Sequence, residues 1–235
     1  MQQQFSGQVV LIAGGTGGLG RAVSIAFLEA GAMVVVTYQK QAEFEALRSA
    51  AGAHAPRLEG HTIDVMNETA VDQLVAGVIA RHARLDAVVN AVGGYTAGAP
   101  LWEMAADSLD KMLSLNLRSG YVLARAAVPV MLKQARGAIV NVAATAAFNH
   151  MAAAGAYVAS KAAAVAMTDS LAADLKGTGV RANSICPSII DTAANREAMP
   201  DADYSKWPKP AEIARVILFL CSEDAKLIHG AAIPV

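Results

Sequence analysis

Cysteine is nearly missing from this chain of 235 residues: Cys186 and Cys221 alone make no disulfide framework. Charge is also sparse, with 17% Asp, Glu, Lys or Arg and a formal net charge of −1. The basic residues are scattered, which argues against nucleic acid or an anionic membrane surface as a partner. No run of eighteen apolar residues occurs, because Ser160, Lys161, Asp169 and Asp174 interrupt the alanine-rich stretch 152–175. Met1 to Gln8 is polar and lacks the apolar core of a secretory signal. His54, His61, His82, His150 and His229 show no ligand spacing with one another or with the cysteines, so no metal is expected. What is abundant is aliphatic: 54% of residues are hydrophobic and only 5% aromatic. A chain of this length buries roughly 70–75% of its unfolded surface and needs no staples. These features predict a cytoplasmic protein with one domain over residues 1–235.

Apolar runs bounded by turn residues alternate with helical patterns. Val9–Ala13, Met33–Val36, Leu85–Val89, Ala138–Val142 and Arg181–Ile185 read as buried strands, with weaker ones at Leu58–Ile63 and Ala231–Val235. They show no two-residue alternation, as expected when both faces of a parallel sheet are covered. Leu19, Val23, Phe27 and Ala30 mark one helical face that ends at Gly31, and Asn67 is placed to cap a helix through Val71, Leu74, Val75 and Val78. Such alternation predicts an α/β fold, a doubly wound parallel sheet of Rossmann type with helices on both faces. A dinucleotide-binding half of about 1–140 and a catalytic and substrate half of about 141–235 are expected within it.

The first strand runs into Gly14-Gly15-Thr16-Gly17-Gly18-Leu19-Gly20, with glycines spaced as GxxxGxG before an amphipathic helix. Gly14, Gly18 and Gly20 allow a tight exit, close backbone approach to a pyrophosphate, and close packing of helix on strand. The helix N-terminus then offers N–H groups and partial positive charge to phosphates. An acidic residue after the second strand would favour NAD, but Val36 is followed by Thr37-Tyr38-Gln39-Lys40. Lys40 suits a 2′-phosphate and tilts the expectation to NADP(H); a solvated surface lysine explains it equally well.

Further motifs follow in order: Asp64-Val65, Asn90-Ala91-Val92-Gly93, Leu115-Asn116-Leu117, Tyr157-Val158-Ala159-Ser160-Lys161 and Pro187-Ser188-Ile189-Ile190-Asp191-Thr192. Over essentially its whole length the chain resembles the short-chain dehydrogenase/reductase family. That resemblance implies an NAD(P)(H)-dependent oxidoreductase with a small-molecule substrate. It assigns Asp64 and Val65 to the adenine, and places Asn90, Ala91 and Val92 along the coenzyme with Thr16 and Leu19 of the glycine turn. Pro187, Ile190 and Thr192 fall beside the nicotinamide, and Asn116 holds a proton-relay water. Tyr157 and Lys161, four apart, share one helical face. An ammonium near a phenol is expected to lower its pKa from about 10 towards the working pH. Lys161 is also expected to hold the nicotinamide ribose.

One family feature is missing. Position 144, thirteen residues before Tyr157, carries alanine where the family has a serine that hydrogen-bonds the reacting carbonyl. Loss of such a donor costs about 3–4 kcal/mol at the transition state, or about 10²–10³ in rate. Three alternatives stand: Thr145 substitutes in a carbonyl or 3-oxoacyl reductase, the chain is an idle dinucleotide sensor, or the acceptor is already electron-poor and conjugated. Residues 191–207 are similar to the lid of quinonoid dihydropteridine reductases, with Asp-Thr, Asn-Arg, Met-Pro and Ser-x-Trp at matching spacing and alanine at the serine position. Gly93-Gly94-Tyr95 resembles their Gly-Gly-aromatic loop, whereas Tyr38 departs from their acidic residue. Hydride transfer to such an acceptor, with Tyr157 as proton source, is the expected chemistry.

Asn149, His150 and Trp207 join Ala144 and Thr145 as candidate substrate residues, and 191–207 reads as a polar loop that closes on ligand. Asp86 and Asp110 read as surface groups. The small-residue faces of helices 114–135 and 156–175 suit a homodimer or homotetramer, the interface such helices form in the family. The chain stops at Val235, short of the glycines usual after the last strand, so a few terminal residues are expected to be absent.

Overall fold

The computed structural model describes residues 4–235; Met1–Gln3, the start of the polar N-terminal stretch, lie outside the described residues. All seven expected strands form: β1 (Val9–Ala13), β2 (Met33–Tyr38), β3 (Leu58–Thr62), β4 (Ala87–Asn90), β5 (Gly137–Val142), β6 (Val180–Cys186) and β7 (Ala232–Pro234). They pair in the order β3-β2-β1-β4-β5-β6-β7, parallel throughout. Successive residues serve opposite faces. Val10 and Ile12 join a core with Phe27, Leu28 and Ile217, while Val9, Leu11 and Ala13 join a second core with Leu74, Val78 and Met131. Two buried faces explain why the strands read as unbroken apolar runs. Chain order reverses between β1 and β4, and a crevice at such a switch point is where open α/β sheets bind ligands.

The helices are α1 (Gly18–Glu29), α2 (Gln41–Ala51), α3 (Glu68–His82), α4 (Ala106–Leu113), α5 (Ser119–Gln134), α6 (Gly155–Asp174), α7 (Ala193–Ala198) and α8 (Pro210–Cys221). Asn67 caps α3 as expected, its Oδ1 accepting from Ala70 N at 3.0 Å. Between α4 and α5 the helix widens into a π-helical turn, Ser114–Arg118, which buries Asn116. Such bulges recur at functional sites.

Three expectations need correction. β2 runs two residues further, through Thr37 and Tyr38, because Thr37 is buried and fastens the glycine turn: its Oγ1 accepts from Gly14 N and its carbonyl from Gly15 N. The stretch 191–207 is not simply a loop. It contains α7, capped by Thr192 Oγ1 accepting from Asn195 N, and a 3-10 turn at Tyr204–Lys206. Asp86 is buried, because its carboxylate accepts Val9 N at 2.9 Å and both arms of the Arg84 guanidinium at 2.7 Å. Asp110 is exposed, as expected. No helix among the described residues is long and apolar enough to cross a membrane.

Candidate active site

Gly14 leaves β1 with φ +70°, in the region that favours glycine. A Cβ on Gly20 would lie 2.0 Å from the Gly14 carbonyl oxygen, and one on Gly18 would lie 2.8 Å from Thr192 Cγ2. Helix α1 therefore starts hard against the turn, with Leu19 buried beneath it. No side chain caps α1 and no acid stands in its first turn, so its leading N–H groups keep their positive field for an anion. Ala91 N donates to the Ala13 carbonyl at 3.0 Å, and Val92 lies against the Gly14 side of the turn. These residues fit the pyrophosphate of a dinucleotide, both in the space only glycine leaves and in charge.

At the adenosine end, Tyr38 is pinned to α2: its phenol donates to Gln41 Oε1 at 2.6 Å and its ring stacks on Phe44. Lys40 is exposed but paired, with Nζ 3.1 Å from Glu43 Oε1. The other Glu43 oxygen accepts from Thr16 Oγ1 in the glycine turn at 3.2 Å. A carboxylate therefore does stand beside the second strand, although none follows it in sequence. Asp64 Oδ1 accepts from Met66 N and stays exposed, while Val65 is buried below it. Asn90 turns its side chain into the core, where Nδ2 donates to Ser119 Oγ and Asn141 Oδ1, both at 3.0 Å.

Tyr157, Lys161 and Asn116 come together through α6 and the π-helical turn. Asn116 Nδ2 donates to Ser160 Oγ at 2.9 Å, and that hydroxyl donates to the Tyr157 carbonyl at 2.8 Å. Asn116 also grips Gly94 from both sides, Oδ1 accepting its N–H and Nδ2 donating to its carbonyl. Gly93 separates the two polar heads, since a Cβ there would sit 2.9 Å from Asn116 Oδ1 and 3.2 Å from Lys161 Nζ. Ser160 and Tyr95 stand within quoted motifs, but those motifs assigned neither of them a role beside Asn116 and Tyr157. Tyr95 meets the Tyr157 ring edge-on, with centroids 4.9 Å apart.

The electrostatics reverse one expectation. Burial, helped by Tyr95, pushes the Tyr157 phenol up to about 12 rather than down. Burial also draws Lys161 down to about 8, opposed by neighbouring Cys186. The i, i+4 spacing does put both on α6, but Lys161 Nζ donates to the Val142 carbonyl at 2.9 Å, and that bond sets its direction. Among the described residues the phenol has no charged partner strong enough to offset desolvation.

Ala144 is buried in extended backbone, φ −164°, just before the 3-10 turn Thr145–Ala147. Thr145 is half-buried, and its N–H donates to the Pro187 carbonyl at 3.0 Å. Asn149 and His150 are exposed. The Ile190 carbonyl already accepts from Thr192 N and Asn195 Nδ2, both at 2.8 Å. Trp207 packs on Tyr204, whose ring also carries the Arg196 guanidinium 4.7 Å from its centroid. The segment is thus a small self-packed unit, closed by Asp191 N donating to the Pro208 carbonyl at 3.0 Å.

A switch-point crevice built for a dinucleotide, with a tyrosine and a lysine on the adjoining helix, belongs to nicotinamide-dependent oxidoreductases of Rossmann type. Comparison with known proteins narrows the class. The family model described as short chain dehydrogenase matches residues 8–203, and the chain belongs to that family. It is 28% identical to a 3-oxoacyl-(acyl-carrier-protein) reductase of Thermotoga maritima, covering 99% of this chain and 97% of that protein. It is 32% identical to meso-2,3-butanediol dehydrogenase of Serratia marcescens, covering 99% and 94% respectively. The solved structure of levodione reductase superposes with a TM-score of 0.90 at 27% identity, covering 98% of this chain and 96% of that one. The chain is accordingly an NAD(P)-dependent oxidoreductase of this family.

Proposed function

We propose that the chain reduces an electron-poor, conjugated small molecule such as a quinonoid dihydropteridine, with Tyr157 as the proton donor. Bound NAD(P)H supplies the hydride. The phenol carries the proton that reduction consumes, although burial makes it a weaker acid than a free tyrosine. Lys161 holds the ribose side of the coenzyme site, and Asn116 carries the relay water while fixing Gly94. Residues of about 1–140 bind the coenzyme, with Thr16, Leu19, Asp64, Val65, Asn90, Ala91 and Val92 along its length, and about 141–235 supply proton donor and substrate wall.

The observation that carries the acceptor class is Ala144. Ala144 is buried, the resemblance puts it where the family has a carbonyl-binding hydroxyl, and an acceptor that needs no such donor avoids its loss. Tyr95, Leu101, Trp102, Phe148 and Met151 are exposed on segments that meet beside the start of α6, where Gly98 N donates to the Ala153 carbonyl at 2.8 Å. A flat aromatic acceptor has rings to stack on there. The relatives at 28–32% identity favour carbonyl reduction instead, since their names refer to 3-oxoacyl and hydroxyl substrates. A panel of quinonoid pterins, quinones, diketones and 3-oxoacyl thioesters, followed at the reduced-nicotinamide absorbance, separates the two. Faster reduction of the conjugated acceptors is expected; faster reduction of 3-oxoacyl thioesters overturns the assignment. The apolar side chains Leu113, Leu117, Tyr121 and Met167, which line a groove between the α4–α5 helix and α6, support a homodimer or homotetramer.

A further inference from the structure

We infer that Glu43 reads the 2′ position of the adenosine ribose and makes this chain prefer NAD(H) to NADP(H), an inference that rests on the coenzyme site of the family and not on the acceptor. The glycine turn is bolted to the end of β2 by two bonds to Thr37, from Gly14 N at 3.0 Å and Gly15 N at 3.2 Å. The adenosine ribose of a dinucleotide held by that turn lies at the end of the second strand. There the structure presents the Glu43 carboxylate, drawn onto the turn by Thr16 Oγ1 at 3.2 Å. Lys40, whose charge would attract a 2′-phosphate, is held by the same carboxylate at 3.1 Å. Tyr38, which follows the strand directly, is stacked on Phe44 and bonded to Gln41. A ribose hydroxyl can donate to Glu43; a phosphate there meets like charge with the compensating ammonium already engaged. The family's acidic residue sits at the strand end, whereas here the first turn of α2 supplies it.

Glu43 and Lys40 are both exposed enough for solvent to screen them, so the preference is expected to be on the order of tenfold at low salt. It should shrink as salt is raised, because charge repulsion, unlike a steric clash, is screened. The test is direct binding by titration calorimetry of NADH, NADPH, ADP and 2′,5′-ADP to the wild-type protein, Glu43→Gln and Glu43→Gln/Lys40→Met, with thermal melts confirming that each variant is folded. Tighter binding of NADH and ADP by the wild type, a shift of Glu43→Gln towards the 2′-phosphorylated ligands, and loss of that gain in the double variant support the inference. Binding of NADPH by the wild type as tightly as NADH, or a Glu43→Gln variant with unchanged selectivity, overturns it while leaving the coenzyme site intact. Failure of every ligand to bind overturns both it and the family coenzyme site.

Discussion

Replacing Lys161 by methionine should stabilise the fold while impairing catalysis. The ammonium is buried beneath the site and bonds the Val142 carbonyl, and burial lowers its pKa from 10.5 to about 8. A group charged in the unfolded chain and harder to charge in the folded one opposes folding, here by about 3 kcal/mol at neutral pH. Methionine has similar length and no charge. It leaves the Val142 carbonyl without that donor, about 1–3 kcal/mol, so a net gain of up to about 2 kcal/mol is expected, or at most roughly 4–8 °C in Tm. The sign depends on pH in a defined way. As pH rises through about 8, the folded lysine loses its proton and its burden on the fold, and the advantage of the variant fades by 10.5. Urea unfolding of both proteins between about pH 6.5 and 9.5 reads this directly. A variant less stable than wild type by the same amount at every pH would refute the claim that the buried charge strains the fold.

Ala144→Ser should raise reduction of simple ketones by about 10²–10³ if a carbonyl substrate is merely handicapped, and leave a conjugated acceptor unchanged; steady-state rates with both acceptors decide. Gly20→Ala forces a Cβ to within 2.0 Å of the Gly14 carbonyl oxygen, so calorimetry should show coenzyme binding lost and melts should show about 1–3 kcal/mol of overpacking. Asp86→Ala leaves Val9 N without its buried acceptor and Arg84 without its partner and should cost about 1–3 kcal/mol in urea unfolding, more than a surface aspartate would.

The sheet was legible because its strands are buried on both faces: Val9 through Ala13 feed two cores in alternation, and sequence shows that as a continuous apolar run. The glycine turn and the Asn67 cap were equally readable, since both are local devices whose residue types follow from backbone geometry. What stayed hidden depends on distant partners. Nothing near Asn116 announces a π-helical turn; Gly94 and Ser160 hold it from other elements. Asp86 looks like any charged residue until Val9 N and Arg84 converge on it. Glu43 reaches Thr16 only because α2 folds back over the glycine turn. Helical spacing put Lys161 and Tyr157 on one face but could not say that β5 would supply the acceptor for the ammonium. In one case the signal was present: Thr192 is a favoured N-cap residue type, and α7 follows it.

Tyr157→Phe, assayed by single-turnover hydride transfer beside a coenzyme titration, probes the proposed proton donor most directly. Coenzyme affinity within about twofold of wild type is expected, with transfer slowed by about 10²–10⁴. Transfer at the wild-type rate, with the phenol gone and the coenzyme bound, would contradict that role.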